Sequence, residues 1–217
     1  MNHLFIVAHP DDEILGCLGT IMRLKEKKHR VAVAILSHAS ATRNDDMISK
    51  TGAIHREIGV DQTYFFDYEM MKFDTYDRYQ MTKDIENVIE MEMPDVIYTH
   101  NETDIHNDHR TLFQIVLEAS KLPLRGLGYN KPIKAIYTME ILSSTDWGKG
   151  FVPNAFVEVT AESIERKEKL LSLYDNVIRG VPFPRNAETF FALARFRGGQ
   201  CGCLYAEAFR KIFEVDK

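Results

Sequence analysis

Two short runs stand out by residue type and spacing: His9-Pro10-Asp11-Asp12-Glu13 and His106-Asn107-Asp108-His109. Both combine imidazole with carboxylate, the side chains that hold divalent cations and move protons near neutral pH. Pro10 fixes its own φ and keeps His9 extended, so the chain turns sharply there. Asp11 and Asp12 then stand where a helix begins, and neighbours in a turn point in different directions. One carboxylate can hold a cation while the other faces a reacting group. His106 and His109 share a face if their segment opens a helix. Two imidazoles and a carboxylate with a fourth position open form the usual catalytic zinc arrangement, whereas structural zinc closes four ligands, mostly thiolates. The competing reading gives Asp11 and Asp12 to helix capping and leaves the three histidines packed or solvated. Both runs falling at one rim of a parallel sheet favours chemistry.

The elements that must position these runs follow from hydrophobic pattern. Continuous apolar stretches at residues 4–8 and 31–36 read as parallel strands buried on both faces. Further strands are expected at 63–66, 95–99, 133–141 and 155–159. Helical periodicity marks 13–27, 47–58, 78–91, 111–120 and 163–173, with Pro94 stopping the third helix. Alternating strands and helices with short links predict an α/β fold, a Rossmann-like doubly wound, mostly parallel sheet with helices on both faces. In such sheets ligands bind at the carboxyl ends of the strands. The first run directly follows strand one, and the second lies a few residues past strand four. Beyond Tyr174 the pattern weakens; Gly198-Gly199-Gln200 reads as a loop entering a short final helix at 205–213.

Composition narrows the function classes. The chain has 217 residues, 45% hydrophobic and 27% charged, which suits one folded domain over residues 1–217 and excludes whole-chain disorder or coiled coil. Twenty-seven basic against thirty-two acidic residues give a net charge of -5, which argues against nucleic acid or an anionic membrane as partner. No apolar run approaches a membrane span, and the N-terminus lacks a basic n-region, so membrane insertion and a signal peptide are not expected. Cys17, Cys201 and Cys203 form neither a disulfide framework nor a zinc ribbon. The chain reads as cytoplasmic.

The run Val7-Ala8-His9-Pro10-Asp11-Asp12-Glu13, followed by Gly16-Cys17-Leu18-Gly19-Thr20-Ile21, resembles the opening of the LmbE/PIG-L family of zinc-dependent N-acetylglucosaminyl deacetylases. His106-Asn107-Asp108-His109, with Arg110 after it, is similar to that family's H-x-D-H motif, and Tyr205-Ala206-Glu207-Ala208-Phe209 to its C-terminal segment. The resemblance implies zinc, with iron(II) as an alternative, bound by His9, Asp12 and His109. It implies Asp11 as general base toward the attacking water and His106 as the proton-donating partner near the leaving amine. Asp108 would orient a histidine, and Arg110 would contact substrate. The implied reaction removes an N-acetyl group from a small N-acetylated sugar or sugar conjugate; homo-oligomers are common among relatives.

Departures put the substrate in question. Many relatives carry a tyrosine two positions before H-x-D-H, where this chain has Asp104, which cannot donate to an oxyanion when ionised. The turn Ser37-His38-Ala39 lacks a glycine often seen in relatives. An arginine that some relatives use for substrate aligns with Ile48, leaving Arg43 and Arg56 as unassigned substitutes. Gly16 and Gly19 lack the dinucleotide pattern and read as close packing of helix on sheet, with Cys17 as a core residue. Arg195, Arg197, Gly198 and Gly199 read equally as an anion-binding edge or a solvated loop, and Trp147 as a partly buried anchor or a sugar-stacking ring. The alternatives to a deacetylase are an amidase for a larger acyl or thiol-sugar conjugate and a non-catalytic carbohydrate- or nucleotide-binding α/β module.

Overall fold

The computed structural model describes residues 1–37, 47–125 and 131–216. Among these, one sheet holds β1 (Asn2–Val7), β2 (Arg30–Ile35), β3 (Gln62–Phe65), β4 (Val96–Thr99), β5 (Ala135–Met139), β6 (Ala155–Glu158) and β7 (Ala206–Glu214). The helices are α1 (Asp12–Glu26), α2 (Met47–Ile58), α3 (Arg78–Glu92), α4 (Asn107–Ala119), α5 (Ala161–Leu171) and α6 (Ala187–Cys201). Strand order is β3-β2-β1-β4-β5-β7-β6. The first five strands run parallel, and β7 is antiparallel to both β5 and β6.

The apolar run of β1 is explained by cover on both sides. Phe5 and Val7 pack in one layer with Val33 of β2 and Ile14, Cys17, Leu18 and Ile21 of α1. Leu4 and Ile6 pack in the other with Met81, Ile85 and Val88 of α3 and Leu112, Ile115 and Val116 of α4. Helices therefore lie on both faces, as the doubly wound pattern predicts. The chain moves from β1 out to β3, then returns to β4 on the opposite side of β1. That reversal opens a crevice at the carboxyl ends of β1 and β4.

The glycines of α1 serve close approach. A Cβ on Gly16 would stand 2.7 Å from Met139 Sδ, and one on Gly19 would stand 2.5 Å from Val159 Cγ1. Cys17 is fully buried among these contacts, and burial pushes its thiol well above the usual range, which suits a packing residue.

Two expectations for the C-terminal half are corrected. Gly198, Gly199 and Gln200 lie inside α6, and residues 205–213 form most of strand β7 in place of a final helix. The Ala-, Glu- and Lys-rich composition favours a helix locally. Pairing overrides it: β7 inserts between β5 and β6, where Ala206, Glu207, Ala208 and Phe209 are all buried and no polar–apolar alternation remains to read. Glu207 is buried with partners: it accepts from the Gly19 and Thr20 amides at 2.9 and 2.8 Å and meets Lys167 Nζ at 3.0 Å. The helix expected at 111–120 starts earlier, at Asn107, with His106 in extended conformation at its N-cap.

Candidate active site

The segment after β1 turns tightly into α1. His9 is buried, and its Nε2 donates to Asp108 Oδ2 at 2.9 Å. That bond fixes the ring with Nδ1 facing inward. Asp108 is held in turn by the Met71 and Phe73 amides at 2.6 and 3.2 Å. At His109, Nδ1 donates to Asp104 Oδ2 at 2.8 Å, which turns Nε2 inward as well. Asp12 Oδ2 accepts the His9 amide at 2.9 Å. The inward atoms meet as a nearly equilateral triangle: His9 Nδ1 to Asp12 Oδ2 is 3.4 Å, His109 Nε2 to Asp12 Oδ2 is 3.3 Å, and His109 Nε2 to His9 Nδ1 is 3.3 Å. A tetrahedron with metal–ligand bonds of about 2.0–2.1 Å has edges of about 3.3–3.4 Å, so this donor set fits a zinc-sized cation.

Two other groups of potential ligands also converge within 4.8 Å: His9, His106 and His109, and Asp12, His100 and His109. His100 Nε2 stands 3.3 Å from Asp12 Oδ2, but its lone pair accepts the Ala8 amide at 2.9 Å. His100 is therefore a wall, stacked on the His109 ring at 3.7 Å between centroids. His106 is partly exposed, with its ring 4.7 Å from His9 and 4.5 Å from His109.

Electrostatics favour a positive charge at the triangle. Burial opposes protonation of His109, yet Asp12 and Asp104 raise its pKa to about 10. Burial likewise opposes charge on His9, but the hydrogen bonds to Asp108 and Asp12 outweigh it and raise its pKa. Burial would raise Asp12, but His109 and His100 hold it well below the usual carboxylate range. Carboxylates that hold protons on the imidazoles equally attract a cation, which binds by displacing those protons. Burial and the charge of His109 push His100 and His106 down to about 4.

Asp11 differs from its neighbour. Its backbone has φ 104, which an L-residue rarely adopts, and its side chain makes no capping bond, so the capping reading fails here. Its Oδ2 is buried without a hydrogen bond, and Arg185 Nη1 approaches it to 3.5 Å. Burial and then the charge of Asp12 raise its pKa to about 7. A strained backbone and an unsatisfied carboxylate oxygen thus set Asp11 apart from Asp12.

Residues 4–120, more than half of the chain, match the family described as PIG-L, GlcNAc-PI de-N-acetylase. The chain belongs to the PIG-L family. The matched span runs from β1 through α4 and carries every member of the cluster of Asp11, Asp12, Asp104, Asp108 and the four histidines. YaiS of Escherichia coli K12, described as an uncharacterized deacetylase, is 28% identical over 139 residues, 59% of this chain and 73% of that protein. Among solved structures, N,N'-diacetylchitobiose deacetylase from Pyrococcus horikoshii superposes with a TM-score of 0.78 at 21% identity, over 97% of this chain and 83% of that one. GalB, a 4-carboxy-2-hydroxymuconate hydratase from Pseudomonas putida, reaches a TM-score of 0.75 at 16% identity, over 100% of this chain and 98% of that one. Likeness at this level shows the fold, and GalB demonstrates that PIG-L-like folds host more than one reaction. The deacetylase assignment therefore rests on the family match.

Arg110 braces its own loop, with Nη1 donating to the Asp104 and Ile105 carbonyls at 2.7 and 2.5 Å. Arg56 is exposed on α2, while His38 and Arg43 lie outside the described residues. Arg197 forks onto Glu140 and also donates to Gln200, so it is not an open anion edge, and Trp147 is 65% exposed. Sequence reasoning overlooked His100 and Arg185, and treated Asp104 only as a missing tyrosine. Asp104 is the carboxylate behind His109: its Oδ2 also accepts Ser144 Oγ at 2.8 Å, and its Oδ1 accepts the His106 amide at 2.8 Å. Burial would raise its pKa, but His109 lowers it, so it stays an acceptor. Asp104→Asn is expected to weaken zinc binding by about 10–100-fold, measured by competition with a chelating indicator. Unchanged affinity would remove Asp104 from this positioning role.

Among the described residues, no helix is long and apolar enough to cross a bilayer.

Proposed function

We propose that this PIG-L family member is a metal-dependent hydrolase that removes the N-acetyl group from an N-acetylated sugar or sugar conjugate, with His9, Asp12 and His109 as ligands. The triangle of His9 Nδ1, Asp12 Oδ2 and His109 Nε2, with sides of 3.3–3.4 Å, carries this reading. Zinc suits the two nitrogens and one oxygen, and iron(II) accepts the same set. A cation held by His9, Asp12 and His109 would supply Lewis-acid polarisation of the amide carbonyl and acidify the attacking water.

The chain's own groups do the rest. Asp11, poised near neutrality and free of a capping bond, accepts the proton of the attacking water. His106, the partly exposed imidazole of the cluster, is assigned to the leaving-amine side. With its pKa lowered to about 4 it is neutral and donates through its N–H, while the proton that nitrogen takes up is the one Asp11 removed from water. Asp108 and Asp104 fix the rings of His9 and His109 by their hydrogen bonds. With Asp104 acting only as an acceptor, His106 is the side-chain donor in reach of a developing oxyanion.

The test is acetate release from N-acetylglucosamine and its phosphorylated, nucleotide-linked and lipid-linked derivatives, before and after chelation. Release that disappears with chelator and returns with zinc or iron(II) is the expected result. Hydrolysis undiminished after complete demetallation would refute the proposal, and preference for longer acyl groups would move it toward a general amidase.

A further inference from the structure

The segment between α5 and α6 brings Arg185 against Asp11 and carries Arg179 on the same cavity. The Arg179 amide donates to the Arg185 carbonyl at 3.0 Å and closes the segment on itself. Both side chains line one cavity of about 230 Å³, together with Ser143, Asn176 and Phe183. Arg185 Nε donates to Ser143 Oγ at 3.1 Å, and its Nη1 lies 3.5 Å from Asp11 Oδ2, so this cavity shares a wall with the candidate base. Arg179 donates only through Nε, to the Asn176 carbonyl at 3.4 Å, and its guanidinium lies 5.7 Å from the Phe183 ring centroid. Several other guanidiniums of this protein meet carboxylates: Arg197 pairs with Glu140, Arg78 with Glu118 and Arg30 with Glu92. Among the described residues Arg179 meets none, in a chain whose net charge is -5.

We propose that Arg179 and Arg185 form a phosphoryl-binding subsite beside Asp11, so that the preferred substrate is an N-acetylated sugar bearing a phosphate group. The inference rests on the deacetylase reading and adds what selects the substrate. A carboxylate has two oxygens and is satisfied by one guanidinium fork. A phosphoryl group presents more oxygens and up to two negative charges, which the Nη edge of Arg179 and the remaining Nη2 of Arg185 meet together. The Phe183 ring, 51% exposed beside them, offers an apolar face for a sugar ring. The cavity lies beyond residues 4–120 that match the family, except where Asp11 touches its wall, so the subsite belongs to this chain's C-terminal half.

The test compares kcat/KM for N-acetylglucosamine with that for its 1-phosphate and 6-phosphate, in the wild type and in Arg179→Glu and Arg179→Gln. Arg179 is exposed and carries no ligand atom of the triangle, so both variants are expected to fold. Wild type should prefer at least one phosphate ester, and Arg179→Glu should lower that preference by about 10–100-fold, as for loss of hydrogen bonds to a charged group. Which ester is preferred reports where the phosphate lies on the sugar. Equilibrium dialysis with inorganic phosphate should show binding that Arg179→Glu weakens. Equal preference in wild type and variants, with equal phosphate binding, would overturn the subsite while leaving deacetylation intact. If no sugar releases acetate, the deacetylase reading fails, and dialysis alone decides the subsite.

Discussion

Replacing His109 with Ala is expected to lower zinc affinity by roughly 100–1,000-fold and to reduce acetate release in parallel. The size follows from dividing a typical structural zinc binding energy of about 10–16 kcal/mol over four ligands, which gives about 2.5–4 kcal/mol each. His109 loses more than a ligand atom, because Asp12 and Asp104 face it from both sides and would keep their charges without an imidazole between them. Metal content after dialysis against stoichiometric zinc checks the prediction, with circular dichroism and a thermal melt to confirm folding. Added zinc in large excess should restore part of the activity. A folded His109→Ala protein that keeps full occupancy at stoichiometric zinc would remove His109 from the ligand set.

Asp11→Asn is expected to keep its metal and lose about 100-fold or more in kcat. Asp11 supplies no atom to the triangle, so binding should change little, whereas a missing general base typically removes about 100–10,000-fold. Asn is the appropriate replacement. It is nearly isosteric, and with Asp it is among the non-glycine residues that best tolerate the left-handed region, so φ 104 is not further strained. Ala there would confound chemistry with backbone strain. Metal analysis beside steady-state kinetics separates the two outcomes: full occupancy with kcat within threefold of wild type would exclude Asp11 as base. Lost occupancy would instead make Asp11 a ligand and require the triangle to be redrawn.

Much of the fold was legible because local pattern and global position agree. Residues 4–8 could only be a strand buried on both faces, and the periodicity of α1, with acidic residues at its start and basic residues at its end, left its course unambiguous. The segment after α5 was not legible for a physical reason. Strand β7 lies between β5 and β6, so its first four residues are buried regardless of face, and a composition of Ala, Glu, Arg and Lys then points to the wrong element.

The chemistry divides along the same line. Residue type and spacing alone marked His9, Asp11, Asp12, His106, Asp108 and His109 as one centre, since motifs of this kind are local and each contributes side chains near one turn. The family resemblance already set Asp12 apart as ligand from Asp11 as base; tertiary structure decided which nitrogen of each histidine turns inward and that Asp104 stands behind His109. It also brought in His100 and Arg185, contributed by β4's end and by a segment more than 170 residues from Asp11. Contacts at that separation exist only after the sheet has closed its crevice, and no local pattern records them.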